Sequence, residues 1–82
     1  MEITIRPPVM DYFILEIAIT DGMYAADPWG RLWFPEIDTW CNATFGKEDM
    51  WGAQPITGWK RMRNTYFFTS EEMMCMFKLR WE

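Results

Sequence analysis

The run Asp11-Tyr12-Phe13-Ile14-Leu15-Glu16-Ile17-Ala18-Ile19-Thr20 decides the architecture. It is rich in β-branched and aromatic residues, which favours extended chain over helix. Extended, it sets Phe13, Leu15, Ile17 and Ile19 on one face and Tyr12, Ile14, Glu16 and Ala18 on the other. Both faces are largely apolar, as in a strand flanked by neighbours on both sides. Asp21-Gly22 closes the run with turn chemistry. The chain is therefore read as built around a sheet.

Upstream, Glu2-Ile3-Thr4-Ile5-Arg6 alternates with period two and meets Pro7-Pro8, which reads as a short edge strand. Downstream, residues 23–34 show no sustained period and read as a loop with a short strand at Arg31–Phe34. Trp29 and Trp33 are costly to leave in water, so this loop is expected to fold back onto the body. Pro35 to Gly46 reads as a helix. Pro35 suits its first turn, Glu36 and Asp38 complement its positive end, and Gly46 closes it. Ile37, Trp40, Cys41 and Thr44/Phe45 recur at spacings of three and four and should face the core.

Lys47 to Ile56 reads as a loop anchored by Trp51, and Thr57 to Thr69 as a long strand or a hairpin bent near Asn64. Thr69-Ser70-Glu71-Glu72 has the form of a capping box, with Thr69 as the cap, opening a helix from Ser70 to about Lys78. This helix should bury Met73 and Met76/Phe77, and the alternating Phe77-Lys78-Leu79-Arg80-Trp81 is read as unwinding into an extended tail. The sum is a single α+β domain over residues 1–82, with an antiparallel sheet of three to four strands and two helices on one face.

Composition bounds the chemistry. Six Trp and eight Met stand in 82 residues that include no His, which removes the commonest general base and metal ligand. Two Cys cannot by themselves form a thiolate zinc site. Cys41 and Cys75 are read as thiols on buried helix faces, inert as nucleophiles rather than joined. The paired acids Glu36/Asp38, Glu48/Asp49 and Glu71/Glu72 sit at helix starts or in a loop, where capping or solvated roles are expected. The five Gly are scattered singly, without a phosphate-cradling motif, and Glu48-Asp49 with Asp27 lack calcium-loop spacing. No enzyme activity, metal or cofactor is expected.

Net charge is −4, divided unevenly: residues 1–55 hold nine acids and three bases, residues 56–82 three acids and five bases. No secretory leader or membrane span is read, and a cytosolic setting is expected.

The C-terminal run Tyr66-Phe67-Phe68-Thr69-Ser70-Glu71-Glu72-Met73-Met74-Cys75-Met76-Phe77-Lys78-Leu79-Arg80-Trp81 resembles the ending of short accessory proteins of tailed bacteriophages. Those endings run aromatic-Phe-Phe, then polar residues opening a helix, then Phe-x-Leu-Arg/Lys-Trp. Trp40-Cys41, Phe45-Gly46 and Trp51 look like their middle section, so the resemblance spans about residues 36–82. Where such endings usually carry Asp-Ala, this chain has Met74-Cys75. The resemblance implies a virus-encoded protein of host takeover or counter-defence, acting in the bacterial cytoplasm or carried in the virion, and non-enzymatic.

Two clusters are candidates for binding. Trp29, Trp33, Phe34 and Trp51 form an aromatic surplus, read as a hot-spot patch for a host or defence protein. The acids Asp27, Glu36, Asp38, Glu48 and Asp49 around it would steer a basic partner. The alternative is the strand Trp59-Lys60-Arg61-Met62-Arg63-Asn64-Thr65-Tyr66 as a nucleotide or single-strand binder. As one continuous strand it would set Trp59, Arg61 and Arg63 on one face and Lys60 and Tyr66 on the other. A minor virion component is the third reading, and the surplus apolar area makes a homodimer an expectation.

Overall fold

The computed structural model describes residues 1–20, 23–26, 28–48 and 58–82 of the chain. Among these the elements run β1 (Ile3–Val9), β2 (Tyr12–Ile17), β3 (Ala25–Ala26), β4 (Leu32–Trp33), α1 (Pro35–Phe45), β5 (Trp59–Met62), β6 (Thr65–Phe68) and α2 (Glu71–Trp81). A four-stranded antiparallel sheet has the order β1-β2-β6-β5, and β3 and β4 pair as a separate two-stranded arm. The protein is an α+β domain.

As its two apolar faces require, β2 lies inside the sheet, with Leu15 opposite both Ile5 and Tyr66. The face that carries Leu15, Ile17, Tyr66, Phe68 and Trp59 is buried under both helices. From α1 come Ile37 and Cys41, and from α2 comes Phe77, whose ring centroid lies 4.8 Å from that of Tyr66. Trp40 joins the helices edge-on, 6.2 Å from Phe77 and 6.1 Å from Trp81. The core is a stack of aromatic rings between one sheet face and two short helices.

Four local expectations are corrected. Strand β1 does not stop at Pro7-Pro8 but runs through them to Val9. An irregularity between Arg6 and Val9 gives β1 an extra residue against β2, and edge strands and bulges are where a sheet tolerates proline. A tight hairpin follows, with Met10 and Asp11 at φ 50° and 69°, the backbone of a type I′ turn. Of the two readings for Thr57 to Thr69 the hairpin is the one that forms, with β5 and β6 folded back across Arg63-Asn64.

The cap of α2 is Ser70, one residue beyond the expected Thr69; its hydroxyl accepts from the Met73 N–H at 3.2 Å. Thr69 instead donates from its hydroxyl to the Gly58 carbonyl, tying the helix entry to β5. Helix α2 does not unwind after Lys78: it continues to Trp81, because Phe77 and Trp81, one turn apart, both stack into the core. Cys41 is buried as expected, while Cys75 is exposed, on the outward side of α2. Helix α1 ends as read, with Gly46 at φ 95° donating its N–H to Asn42. The Trp59 indole then donates to the Gly46 carbonyl at 2.7 Å. Among the described residues no helix is long and apolar enough to cross a membrane.

Candidate functional site

The hairpin turn at 63–64 overturns the face assignment made for a continuous strand. Trp59 faces Phe68 across the ladder and Arg61 faces Tyr66, so all four side chains share the helix-covered face. Trp59 and Tyr66 are fully buried there, and neither offers a ring to a base. Lys60 points to the opposite face and is fully buried as well, so it belongs to no exposed basic stripe. Of the basic and aromatic residues of the alternative cluster, only Arg63 is exposed.

Arg61 is held by a network that nothing local in the sequence announces. Its Nε donates to both carboxylate oxygens of Asp38, at 3.0 and 3.2 Å. Its Nη1 donates to the carbonyls of Leu32 at 3.1 Å and Arg63 at 3.0 Å. Asp38 also accepts from the Tyr66 hydroxyl at 2.8 Å and the Phe34 N–H at 3.3 Å. One buried carboxylate and one guanidinium thus join α1, the β3–β4 arm, β5 and the β5–β6 turn.

The network also explains how α1 starts on Phe34, which has no polar atom to cap with. The Asp38 carboxylate takes the Phe34 N–H, while the Asp38 N–H reaches back to the Phe34 carbonyl. Phe34 itself is completely buried, with the Arg61 guanidinium carbon 5.5 Å from its ring centroid. It belongs to the core, not to an exposed patch. The sequence reading gave Asp38 a helix-dipole role and a place among the acids steering a basic partner, and no buried role. Its position among Ile37, Cys41 and Phe45 on the inward face was the available signal, since a buried acid there requires a cationic or hydrogen-bonding partner.

Burial pushes the Tyr66 hydroxyl up from its ordinary value, and the neighbouring Asp38 carboxylate adds to this by charge and by hydrogen bond. Burial likewise pushes the Cys41 thiol up, with Asp38 and then Glu48 adding to it, so the thiolate a nucleophile needs is disfavoured.

What the network assembles is a groove of about 730 Å³ between residues 30–33 on one side and Arg61, Met62 and Arg63 on the other. Trp33 (43% exposed) forms one wall, and half-exposed Met62 belongs to the other. Just outside, Trp29 is 79% exposed, with the Arg31 guanidinium carbon 5.5 Å from its ring centroid. Among the described residues no carboxylate lines the groove. Gly30 enters at φ 80°, a conformation that disfavours any larger residue. Arg63 adopts φ 56° at the opposite lip.

The two sequence clusters, assigned to separate functions, therefore meet on one surface. Trp29 and Trp33 come from the first, and Arg63 with the flank of Arg61 from the second. Trp51, Asp27, Asp49 and the turn expected at Asp21-Gly22 lie outside the described residues. Glu48 accepts from the Arg61 backbone N–H at 2.9 Å, closing part of the β5 edge, and Asp38 is buried. Neither is placed to steer a basic partner. No protein-family model, curated protein or solved structure matches the chain.

Proposed function

We propose that the chain is a non-enzymatic phage accessory protein that binds a host or host-defence protein through the Trp29–Trp33–Arg63 groove. The observation that carries this reading is two tryptophans kept at the surface beside an arginine-lined concavity. Trp and Arg are the residues in which interface binding energy concentrates, and a concave site lets an anchor side chain leave water. Cys41 is sealed in the core, which speaks against it as a nucleophile. The phage setting rests on the C-terminal ending, whose aromatic strand and helix supply much of the core.

Affinity capture from bacterial lysate tests the proposal. Wild type is expected to retain a stoichiometric protein, and Trp29→Ala/Trp33→Ala to lose it while staying folded. Absence of any stoichiometric partner, or capture indifferent to both substitutions, contradicts it. A nucleotide is the second reading, because the groove is of ligand size and has Arg31, Arg63 and Trp33 among its lining residues. With Trp59 and Tyr66 buried, that reading depends on Trp33 for stacking. Oligonucleotide and cyclic-nucleotide titrations of wild type and Arg63→Ala address it.

A further inference from the structure

The two edges of the four-stranded sheet are finished differently. At β5 the Glu48 carboxylate accepts the outward Arg61 N–H at 2.9 Å, which closes part of that edge. At β1 no strand among the described residues lies on the outer side, and every residue from Thr4 to Met10 is exposed. Hydrogen-bond alternation fixes which β1 groups point outward. The Ala18 N–H donates to the Glu2 carbonyl at 3.0 Å, in the same register that sets Ile3 opposite Ile17. Glu2 and Ala18 are therefore a hydrogen-bonded pair, and Thr4–Glu16 and Arg6–Ile14 repeat it. The N–H and C=O groups of Ile3 and Ile5 then face away from β2. An edge with open groups of this kind is a template for another strand.

The second half of this edge is blunted and the first half is not. Pro7 and Pro8 fall where β1 is irregular, and Pro7 has no N–H with which to extend the outward series. The run Glu2-Ile3-Thr4-Ile5-Arg6 is its own complement when a second copy runs antiparallel about Thr4. Ile3 then meets Ile5 of that copy as a hydrogen-bonded pair, through the groups that face outward. Thr4 meets Thr4 on the two-fold axis, and Glu2 meets Arg6. Arg6 already donates from Nη2 to Glu16, but a guanidinium has further N–H donors, so a second carboxylate fits without releasing the first. Moving the axis to Ile5 sets Pro7 against Ile3, where a donor is missing. Moving it to Ile3 takes Arg6 away from Glu2.

We infer that the chain forms a two-fold homodimer in which β1 pairs with β1 of a second copy, antiparallel about Thr4, joining the two sheets into one of eight strands. On the helix-covered face, Ile5 (47% exposed) comes beside Ile3 of the other copy, which packs against the core. The apolar layer thus continues across the axis. A second copy is favoured over an unrelated strand because the same five residues supply both halves of the fit. The inference is independent of the groove, which is lined by the opposite edge strand, β5. Across eight strands the two β5 edges stand about 33 Å apart. With the proposed protein-binding function, the dimer is a bivalent binder.

Sedimentation equilibrium of the purified protein tests this. Wild type is expected to show twice its chain mass of 9.9 kDa. Ile5→Pro removes an outward N–H from each copy and no bond to β2, and should weaken the dimer on the order of 100-fold, about 10-fold for each bond lost. Circular dichroism and the unfolding midpoint show that the variant is folded. Cysteine pairing reads the register separately, in a Cys75→Ser background because Cys75 is exposed. Thr4 Cα atoms facing across the axis stand about 4.5 Å apart, within disulfide reach. Thr4→Cys should therefore crosslink under mild oxidation, and Ile5→Cys should not. A wild type that is monomeric up to about 1 mM overturns the inference. So does a dimer as tight in folded Ile5→Pro as in wild type, or crosslinking at Ile5→Cys instead of Thr4→Cys. A monomeric wild type whose lysate partner is lost on Ile5→Pro assigns the edge to a partner's strand and overturns it too. If a monomeric wild type retains a lysate partner that Trp29→Ala/Trp33→Ala loses, the protein-binding function stands and the dimer falls.

Discussion

Replacing Asp38 by alanine removes the joint on which the groove depends, and the structure supplies the magnitude. Three groups lose their acceptor: the Arg61 guanidinium, the Tyr66 hydroxyl and the Phe34 N–H. The Arg61 and Asp38 side chains are each only 12% exposed, so water does little to replace the pair. Removing one partner of such a buried pair costs about 3–5 kcal/mol. The Leu32 and Arg63 carbonyls still hold Arg61, which places the expectation near the lower end, about 3 kcal/mol. A domain of this size has on the order of 4–12 kcal/mol in total, so the variant should stay folded with about 1–9 kcal/mol left, measurable by equilibrium unfolding.

Asp38→Asn keeps one acceptor oxygen but loses the charge, and should cost about 1.5–3 kcal/mol. Asp38→Leu/Arg61→Met removes both charges together and should cost less than the two single changes summed. Guanidinium unfolding followed by tryptophan fluorescence and far-ultraviolet dichroism gives these values. Leu79→Ala, at a position 85% exposed, serves as the control within about 0.5 kcal/mol. A cost below about 1 kcal/mol for Asp38→Ala, or strict additivity in the double variant, would refute the network as the joint of the fold.

Other outcomes follow from the same contacts. Tyr66 and Cys41 are raised in the folded protein, so the unfolded chain sheds those protons first as pH climbs. Their contribution is fully present below the unfolded values of 10.0 and 9.0 and is lost as pH rises beyond them. The slope reaches about 1.4 kcal/mol per pH unit for each group, and in unfolding curves Tyr66→Phe should lose its share while Cys41→Ala loses the other. At the second helix, Ser70→Ala should cost about 1 kcal/mol and lower Tm by about 5 °C. An effect of that size at Thr69 and none at Ser70 would restore the alternative cap.

Strand β2 was legible because apolar residues on both faces leave an extended run one comfortable place, flanked by β1 and β6. Helix α1 was legible from its punctuation, Pro35 and Gly46. The end of α2 was not, because Phe77 to Trp81 satisfies period two and period four alike. Packing of Trp81 against Trp40 decides it, a contact across 41 positions that no local window holds. The hairpin at Arg63-Asn64 lacked the usual Asn-Gly or Asp-Gly signal, since arginine occupies a place that suits glycine. The hairpin bent near Asn64 was one of two readings, and it was the other, a continuous strand, that put Trp59 and Tyr66 on opposite faces and made a buried pair look like a binding stripe. The groove was illegible for a related reason. Its arm is two strands of two residues each, held by the distant Asp38–Arg61 pair rather than by propensity.

The central claim, that this surface exists to bind, is tested most directly by Arg63→Gly with stability and binding measured on the same preparation. Relief of the left-handed strain, less the entropy that glycine loses on folding, should raise stability by about 0.5–1 kcal/mol. Affinity for the lysate partner should fall on the order of 10-fold. A more stable protein that binds less well is the predicted result. Unchanged affinity, or a loss of stability, would contradict the account.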